Sequence, residues 1–598
     1  LLVNTGASNT AVGSGALDAN TSGTPNTAVG LNALGANISG NNNTAIGAGA
    51  GAAISSGGNN TAVGRSALAA ASGADSTAVG YQALAVNTGA QNTAVGSGAL
   101  AANTSGTPNV AVGYQALGSN ITGVNNVAVG YQSLFNNTNS NNTAMGYGAL
   151  LTNNSGNLNV AVGNHCFYFS TGSNNTGVGG NAGQQTSTGD KNTIVGYRAL
   201  FTNETGSENV AMGYNALQFG TSSQNTALGS QAMSANISGT LNTTAGYRSL
   251  LSNTAGSNNV AIGADAALSV LTSNNTAVGT SALAAASGAN STAVGYNALL
   301  VNTGASNTAV GAGALDANTT GTPNTAVGLN ALGANISGNN NTAVGASAGL
   351  AVLTGNNTAV GTSALAAASG ADSTAVGYNA LLVNTGAQNT AVGSGALDAN
   401  TSGTPNTAVG FNAMGSNISG NNNVAIGANA FSTKTSGNEN VAIGVSALGA
   451  AGTSASENVA IGMDALRSTT GTANVGIGRQ AMYQNGSGQR NIAIGREAYW
   501  ANSTGSNTVA IGFQALTNAS GSNLTAVGYE AGLNYGSAVG LVALGYQAAA
   551  SVTTANNTAA GFQALNAASG ADSTAVGYRS LAVNTGAQNT AVGSGALD

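Results

Sequence analysis

Asn26-Thr27-Ala28-Val29-Gly30-Leu31-Asn32-Ala33-Leu34 decides the reading of this chain, because the same phrase returns every 16 or 17 residues, rarely 18. It occurs in 36 successive turns, with the fourth position running from Val12, Val29 and Ile46 to Val576 and Val592. The residue after it is Gly in all 36. A fixed period of this length marks a repeat protein whose units stack in one dimension. Residues 1–598 therefore read as one continuous array, least regular over 445–545. The array opens and closes in mid-repeat, since Leu1-Leu2-Val3-Asn4 matches Leu299-Leu300-Val301-Asn302, and it reads as a window of a longer chain.

Positions within a turn are numbered from the Asn. Position 1 is Asn or Ser nearly throughout, and position 2 exchanges Thr with Val. Position 3 is Ala in 32 of 36 turns, and position 4 is chiefly Val, Ile, Met or Leu. Alternation with β-branched residues predicts a short strand with positions 2 and 4 on one face and position 3 on the other. The unvarying Gly at position 5 predicts a corner. Small position 8 and large apolar position 9 suggest a second short strand, and the Asn, Thr, Ser and Gly from position 10 onward suggest a loop. Stacked turns would then align Asn side chains into a ladder and Val and Leu into an apolar spine. The Ala and Gly face would be left flat for contact with another chain. The fold class is all-β, a parallel β-solenoid; at the usual strand spacing its turns would extend about 170 Å.

Composition excludes several classes. Charged residues are 4% of the chain, against roughly 25% in ordinary globular domains. Disorder does not fit a net charge of −6 with 42% hydrophobic residues at regular intervals. A net charge of −6 with only ten basic residues argues against nucleic acid as the main partner. No apolar run approaches the roughly 18 residues that span a membrane, so no membrane contact is expected of this segment.

The phrases Asn423-Val424-Ala425-Ile426-Gly427 and Asn440-Val441-Ala442-Ile443-Gly444 resemble the head repeats of trimeric autotransporter adhesins and related repeats of phage tail-fibre-like proteins. The resemblance covers the whole chain. It implies a left-handed β-roll, three chains per fibre, and a binding role at a cell or virion surface. The turns here are longer than the adhesin turn, and Ala-Leu replaces the usual residues after the corner.

Position 6, just after the corner Gly, holds Tyr in twelve turns: Tyr81, Tyr114, Tyr131, Tyr147, Tyr197, Tyr214, Tyr247, Tyr296, Tyr378, Tyr529, Tyr546 and Tyr578. Elsewhere it holds chiefly Phe, Leu, Ala, Ser, Thr or Arg. A packed core does not accept such swings, since overpacking costs about 1–3 kcal/mol. The column is expected at the surface, either shielding the corner backbone or offering an aromatic stripe to sugars or a partner. The stretch 467–500 adds Arg467, Arg479, Arg490 and Arg496 with Tyr483, Tyr499 and Trp500. Arg479 and Arg496 share position 6, and this stretch is the best local candidate for an acidic glycan or a partner protein. His165 and Cys166 are the only His and Cys, but Cys166 falls at position 8, where a small apolar residue belongs. One His and one Cys do not complete a zinc site, and no metal or other cofactor is expected. Asp18, Asp316, Asp398 and Asp598 share one phase of the repeat rather than pairing as catalytic carboxylates do.

No nucleophile, base and orienting group recur together, so an enzyme is not expected. The leading expectation is a structural and adhesive extracellular fibre that self-associates, as a trimer by the resemblance, and attaches multivalently to a host-surface glycan or protein. A self-assembling filament or matrix without a receptor is the alternative. An ice-binding solenoid ranks lower, because Thr at position 2 trades with Val.

Overall fold

The computed structural model describes residues 4–450, 454–567, 570–583 and 585–597. By internal contacts the chain divides into two compact units, Leu1–Asn297 and Ala298–Asp598. The first carries strands β1 (Thr10–Val12) to β18 (Thr292–Val294), the second β19 (Thr308–Val310) to β36 (Thr590–Val592). Within each unit every strand pairs in parallel with the next in the sequence, one strand per turn, without a register slip. Thr10, Ala11 and Val12 lie beside Thr27, Ala28 and Val29. Thr308, Ala309 and Val310 lie beside Thr325, Ala326 and Val327. Each unit is a parallel β-solenoid.

The alternation along the strand holds, but its sense differs from the expected spine. Ala at position 3 points inward and is buried, whereas positions 2 and 4 point outward and are half-buried or exposed, as at Thr27–Val29 and Thr44–Ile46. The turn is too narrow for two large apolar columns. Leu34 at position 9 fills the interior, and opposite it there is room only for the methyl groups of Ala28 and Ala33, all three with no exposed surface. The Ala face is therefore not available for contact between chains, and the outward face is Thr and Val.

Positions 8 and 9 form no second strand. Their segment is a turn in which positions 7 and 9 take the left-handed conformation, as at Asn32 (φ 55°) and Leu34 (φ 47°). It still bonds like a sheet. Leu34 N–H donates to the Ala50 carbonyl of the next turn (2.9 Å), and Asn32 N–H to the Ser14 carbonyl of the previous one (2.8 Å). The left-handed backbone costs an L residue roughly 1–2 kcal/mol, and more if it is β-branched. This accounts for position 9, which holds Leu, Met, Phe, Tyr, Ala or Gly and never Val, Ile or Thr.

The Asn ladder at position 1 is present. Asn26 N–H donates to Asn9 Oδ1 (2.8 Å), and its own Nδ2 reaches the Gly40 carbonyl (2.8 Å). A second buried ladder lies at position 12, in what reads from sequence as loop: Asn37 Nδ2 donates to Asn20 Oδ1 (2.8 Å). Backbone groups that the irregular half of the turn would leave unsatisfied are answered by these amides. Where Ile54 interrupts the second ladder, Asn37 Oδ1 is left without a hydrogen-bond partner among the described residues.

Candidate functional site

The corner that presents position 6 is fixed by its glycine. At position 5 φ lies between 125° and 147°. A Cβ on Gly130 would lie 2.5 Å from the carbonyl oxygen of Gly146 in the next turn, and one on Gly528 would lie 2.3 Å from that of Gly545. Neither the conformation nor the space admits a side chain. The next residue is thereby turned outward, and its carbonyl is tied to the following turn. Gln132 N–H donates to the Tyr114 carbonyl (2.8 Å) and Gln547 N–H to that of Tyr529 (2.8 Å).

The position 6 aromatics are exposed, apart from half-buried Phe513, and neighbouring ones stack. Tyr114, Tyr131 and Tyr147 form one ladder, with centroids 5.0 and 5.1 Å apart and planes within 17°. Tyr197 and Tyr214 stack at 5.8 Å. The longest ladder runs Phe513, Tyr529, Tyr546, Phe562, Tyr578 at 5.0–5.2 Å. Its lower end is covered by Arg496, whose guanidinium lies 5.7 Å from the Phe513 centroid and pairs with Glu497 at 3.1 Å. Gln514 and then Arg496 hold the Glu497 carboxyl below its usual range. Rings inside a ladder spend their faces on each other. Tyr81, Tyr247, Tyr296 and Tyr378 have no aromatic neighbour at position 6 of the turn before or after.

The stretch 467–500 separates by phase. Arg479 and Arg496 stand in the position 6 column. Trp500 stands at position 10 and stacks on Tyr483 (5.6 Å, 5°), with Arg467 over the other ring (5.8 Å) and paired to Asp464 at 3.2 Å. This second ladder escaped sequence reasoning, although reading position 10 down the repeat would have found it. Tyr499 does not belong to the surface. It occupies position 9, is buried, donates from its hydroxyl to the Gly521 carbonyl (2.8 Å), and has its hydroxyl pushed up to about 12 by burial.

His165 and Cys166 face opposite ways. Cys166 is buried and its thiol is pushed up to about 12 by desolvation. His165 packs edge-on between Tyr147 (5.0 Å) and Tyr168 (4.7 Å). Asp316 and Asp398 are partly desolvated at position 10, which raises their carboxyls; Asp598 lies outside the described residues. Among the described residues no group of three or more His, Cys, Asp or Glu could hold a metal ion, and no helix is long and apolar enough to cross a membrane.

Sequence also gave no warning of Lys434. It stands at position 12 in the buried amide column, has no exposed surface, and donates from Nζ to the carbonyl of Thr469, two turns on. Desolvation lowers its amine to about 8.

No known protein family and no curated protein matches the chain.

Proposed function

We propose that the protein is a structural and adhesive extracellular fibre, associating with copies of itself along its outward sheet face and presenting the corner columns for multivalent attachment. The carrying observation is the outward face. Positions 2 and 4 point away from the interior and carry no charged residue in any of the 36 turns. Repeated over many turns, this partly exposed Thr and Val face is of the kind that could supply the roughly 800 Å² per partner that a stable interface needs. Charged residues on that face would be the ordinary guard against self-association, and none is there. The resemblance to adhesin heads favours three chains; the exposed aromatics at position 6 remain outside such an interface and are the attachment surface.

Light scattering of the full chain tests this. A mass three times the 56.8 kDa of one chain is expected, together with its loss on placing Lys at Thr27, Thr44 and Thr61. A monomer in the wild type would end the trimer. Binding to an immobilised host glycan or protein separates the adhesive reading from that of a filament without a receptor.

One observation favours the lower reading as well. Thr at position 2 points outward in register, beside Val, on a face of regular strand spacing. An ice-binding solenoid would use that face. Thermal hysteresis in dilute solution is its test, and none would end it.

A further inference from the structure

Three places on the corner break the aromatic column in the same way. Position 6 reads Tyr81-Ser97-Tyr114, Tyr214-Ser230-Tyr247 and Tyr378-Ser394-Phe411 in successive turns. Each is a ladder with one rung missing. The two flanking rings stand two turns apart, so their separation is about 10 Å, twice the 5.0 Å of a filled rung. The width is held by backbone. Gly98 N–H donates to the Tyr81 carbonyl (2.8 Å) and Gln115 N–H to the Ser97 carbonyl (2.9 Å). Around Ser394 the same pair, from Gly395 and Asn412, measures 2.9 and 2.9 Å.

Among the described residues no other ring stacks on the faces that look into these gaps; at the second gap Tyr214 stacks on Tyr197 across its other side, and Arg248 lies 5.7 Å from the Tyr247 centroid. Tyr114 uses one face on Tyr131, and Tyr81 has Arg65 at 5.9 Å; neither stacks on the other. Among the described residues Tyr378 and Phe411 have no ring partner. Exposure is greatest at the Ser394 gap, where Tyr378 is 58% and Phe411 61% exposed, against 42% for Tyr546 inside a ladder; Tyr81 and Tyr114 stay near ladder values. Polar groups border the gap. Its floor residue is Ser in all three, and the residue after each flanking ring is Gln82 and Gln115, Asn215 and Arg248, or Asn379 and Asn412.

We propose that each of these three gaps binds one sugar ring, sandwiched between the two aromatic faces, and that they are the glycan subsites of the attachment surface; the inference rests on the adhesive reading above. A ring entering the gap would sit about 5 Å from each neighbour, the spacing the ladders already adopt. Contact on both faces selects the sugar. A β-gluco-configured pyranose has all its substituents equatorial and offers axial C–H bonds on both faces, whereas a galacto-configured ring has an axial hydroxyl on one. The rim hydroxyls then meet the Ser hydroxyl and the neighbouring amides. The lack of clustered positive charge fits a neutral sugar.

The test is saturation-transfer NMR of the full chain with methyl β-D-glucopyranoside, methyl β-D-galactopyranoside and tryptophan amide as probes. Saturation should reach the glucoside ring protons and be clearly weaker for the galactoside. Filling the three gaps (Ser97→Tyr, Ser230→Tyr and Ser394→Tyr together) should weaken glucoside binding about tenfold or more, as two ring contacts per site disappear. Opening a new gap with Tyr546→Ser should add a site. Unchanged binding in the filled variant, or preference for tryptophan amide over the glucoside, overturns the proposal. If the filled variant still attaches to an immobilised glycan, the subsites fail and the adhesive reading stands. If the wild type binds the glucoside but no immobilised glycan or host protein, the adhesive reading fails and the subsites stand.

Discussion

Two turns lose the same leucine and fill its place from different directions. At Gly349, position 9 has no side chain, and the space is taken by Val352, which replaces the usual Asn three residues on, and by the Leu332 side chain from the turn before; a Cβ on Gly349 would lie 2.9 Å from Leu332 Cδ2 and 3.4 Å from Val352 Cγ2. At Gly183 the filling comes from other turns. Phe167 replaces the preceding Leu and Ile194 replaces the following Ala, and a Cβ on Gly183 would lie 2.5 Å from the Phe167 ring and 2.9 Å from Ile194 Cδ1. Gly177 at position 3 makes room for the same Phe167 ring, at 2.5 Å. The interior keeps its volume, not its residues. Gly51 with Ile54 and Ala267 with Val270 follow the first pattern.

Corner glycines are outside the exchange, so Gly179→Ala and Gly345→Ala should be equally damaging, at about 3–5 kcal/mol each in chemical denaturation, because both strain and clash remain. A mild effect at either would mean that the corner can relax. Gly183→Leu should cost about 3 kcal/mol by overpacking. It should recover most of that when combined with Phe167→Leu and Ile194→Ala, whereas Gly349→Leu needs only Val352→Asn; failure of either rescue would break the idea of conserved volume.

A third kind of exchange is ionic. Lys434 stands where Asn417 stands one turn earlier, and its amine is lowered from 10.5 to about 8. Below pH 8 both the folded and the unfolded chain carry the charge, and the fold bears its desolvation. Above pH 10.5 neither does. Stability around this turn should therefore rise between pH 8 and 10.5. Lys434→Asn should stabilise it at neutral pH by about 1–3 kcal/mol, with the gain disappearing at high pH; hydrogen exchange of the neighbouring amides reads this. A gain that persisted above pH 10.5 would assign it to packing. The smallest effect lies on the outward face. Thr325→Val should change stability by less than about 0.5 kcal/mol, while Ala326→Val, one residue on and facing inward, should cost about 1–3 kcal/mol.

Much of the fold was legible because the repeat exposes each position many times. The period, the strand at positions 2 to 4, the in-register Asn ladder at position 1 and the outward position 6 column all follow from which residues a phase accepts. The columns at positions 3 and 4 misled, because hydrophobicity ranks Val above Ala as a core residue. Sequence alone does not reveal how little width the turn has. Position 9 misled in another way: Leu after a small residue reads as a strand, and only the absence of β-branched residues hinted at left-handed backbone. The ring ladders were partly visible, since Tyr in adjacent turns must be near neighbours, but the Tyr483 and Trp500 pair needed the phase of position 10.

What the sequence determined by itself is the solenoid, because a phrase repeated without a break in phase can satisfy its backbone only by stacking on copies of itself. What only the tertiary structure decided is which side of that phrase is inside. The choice belongs to the width of the closed turn, which no single turn contains. It follows from packing one Leu against two methyl groups and two columns of amides, and it is this choice that leaves Thr, Val and the aromatic corner facing outward.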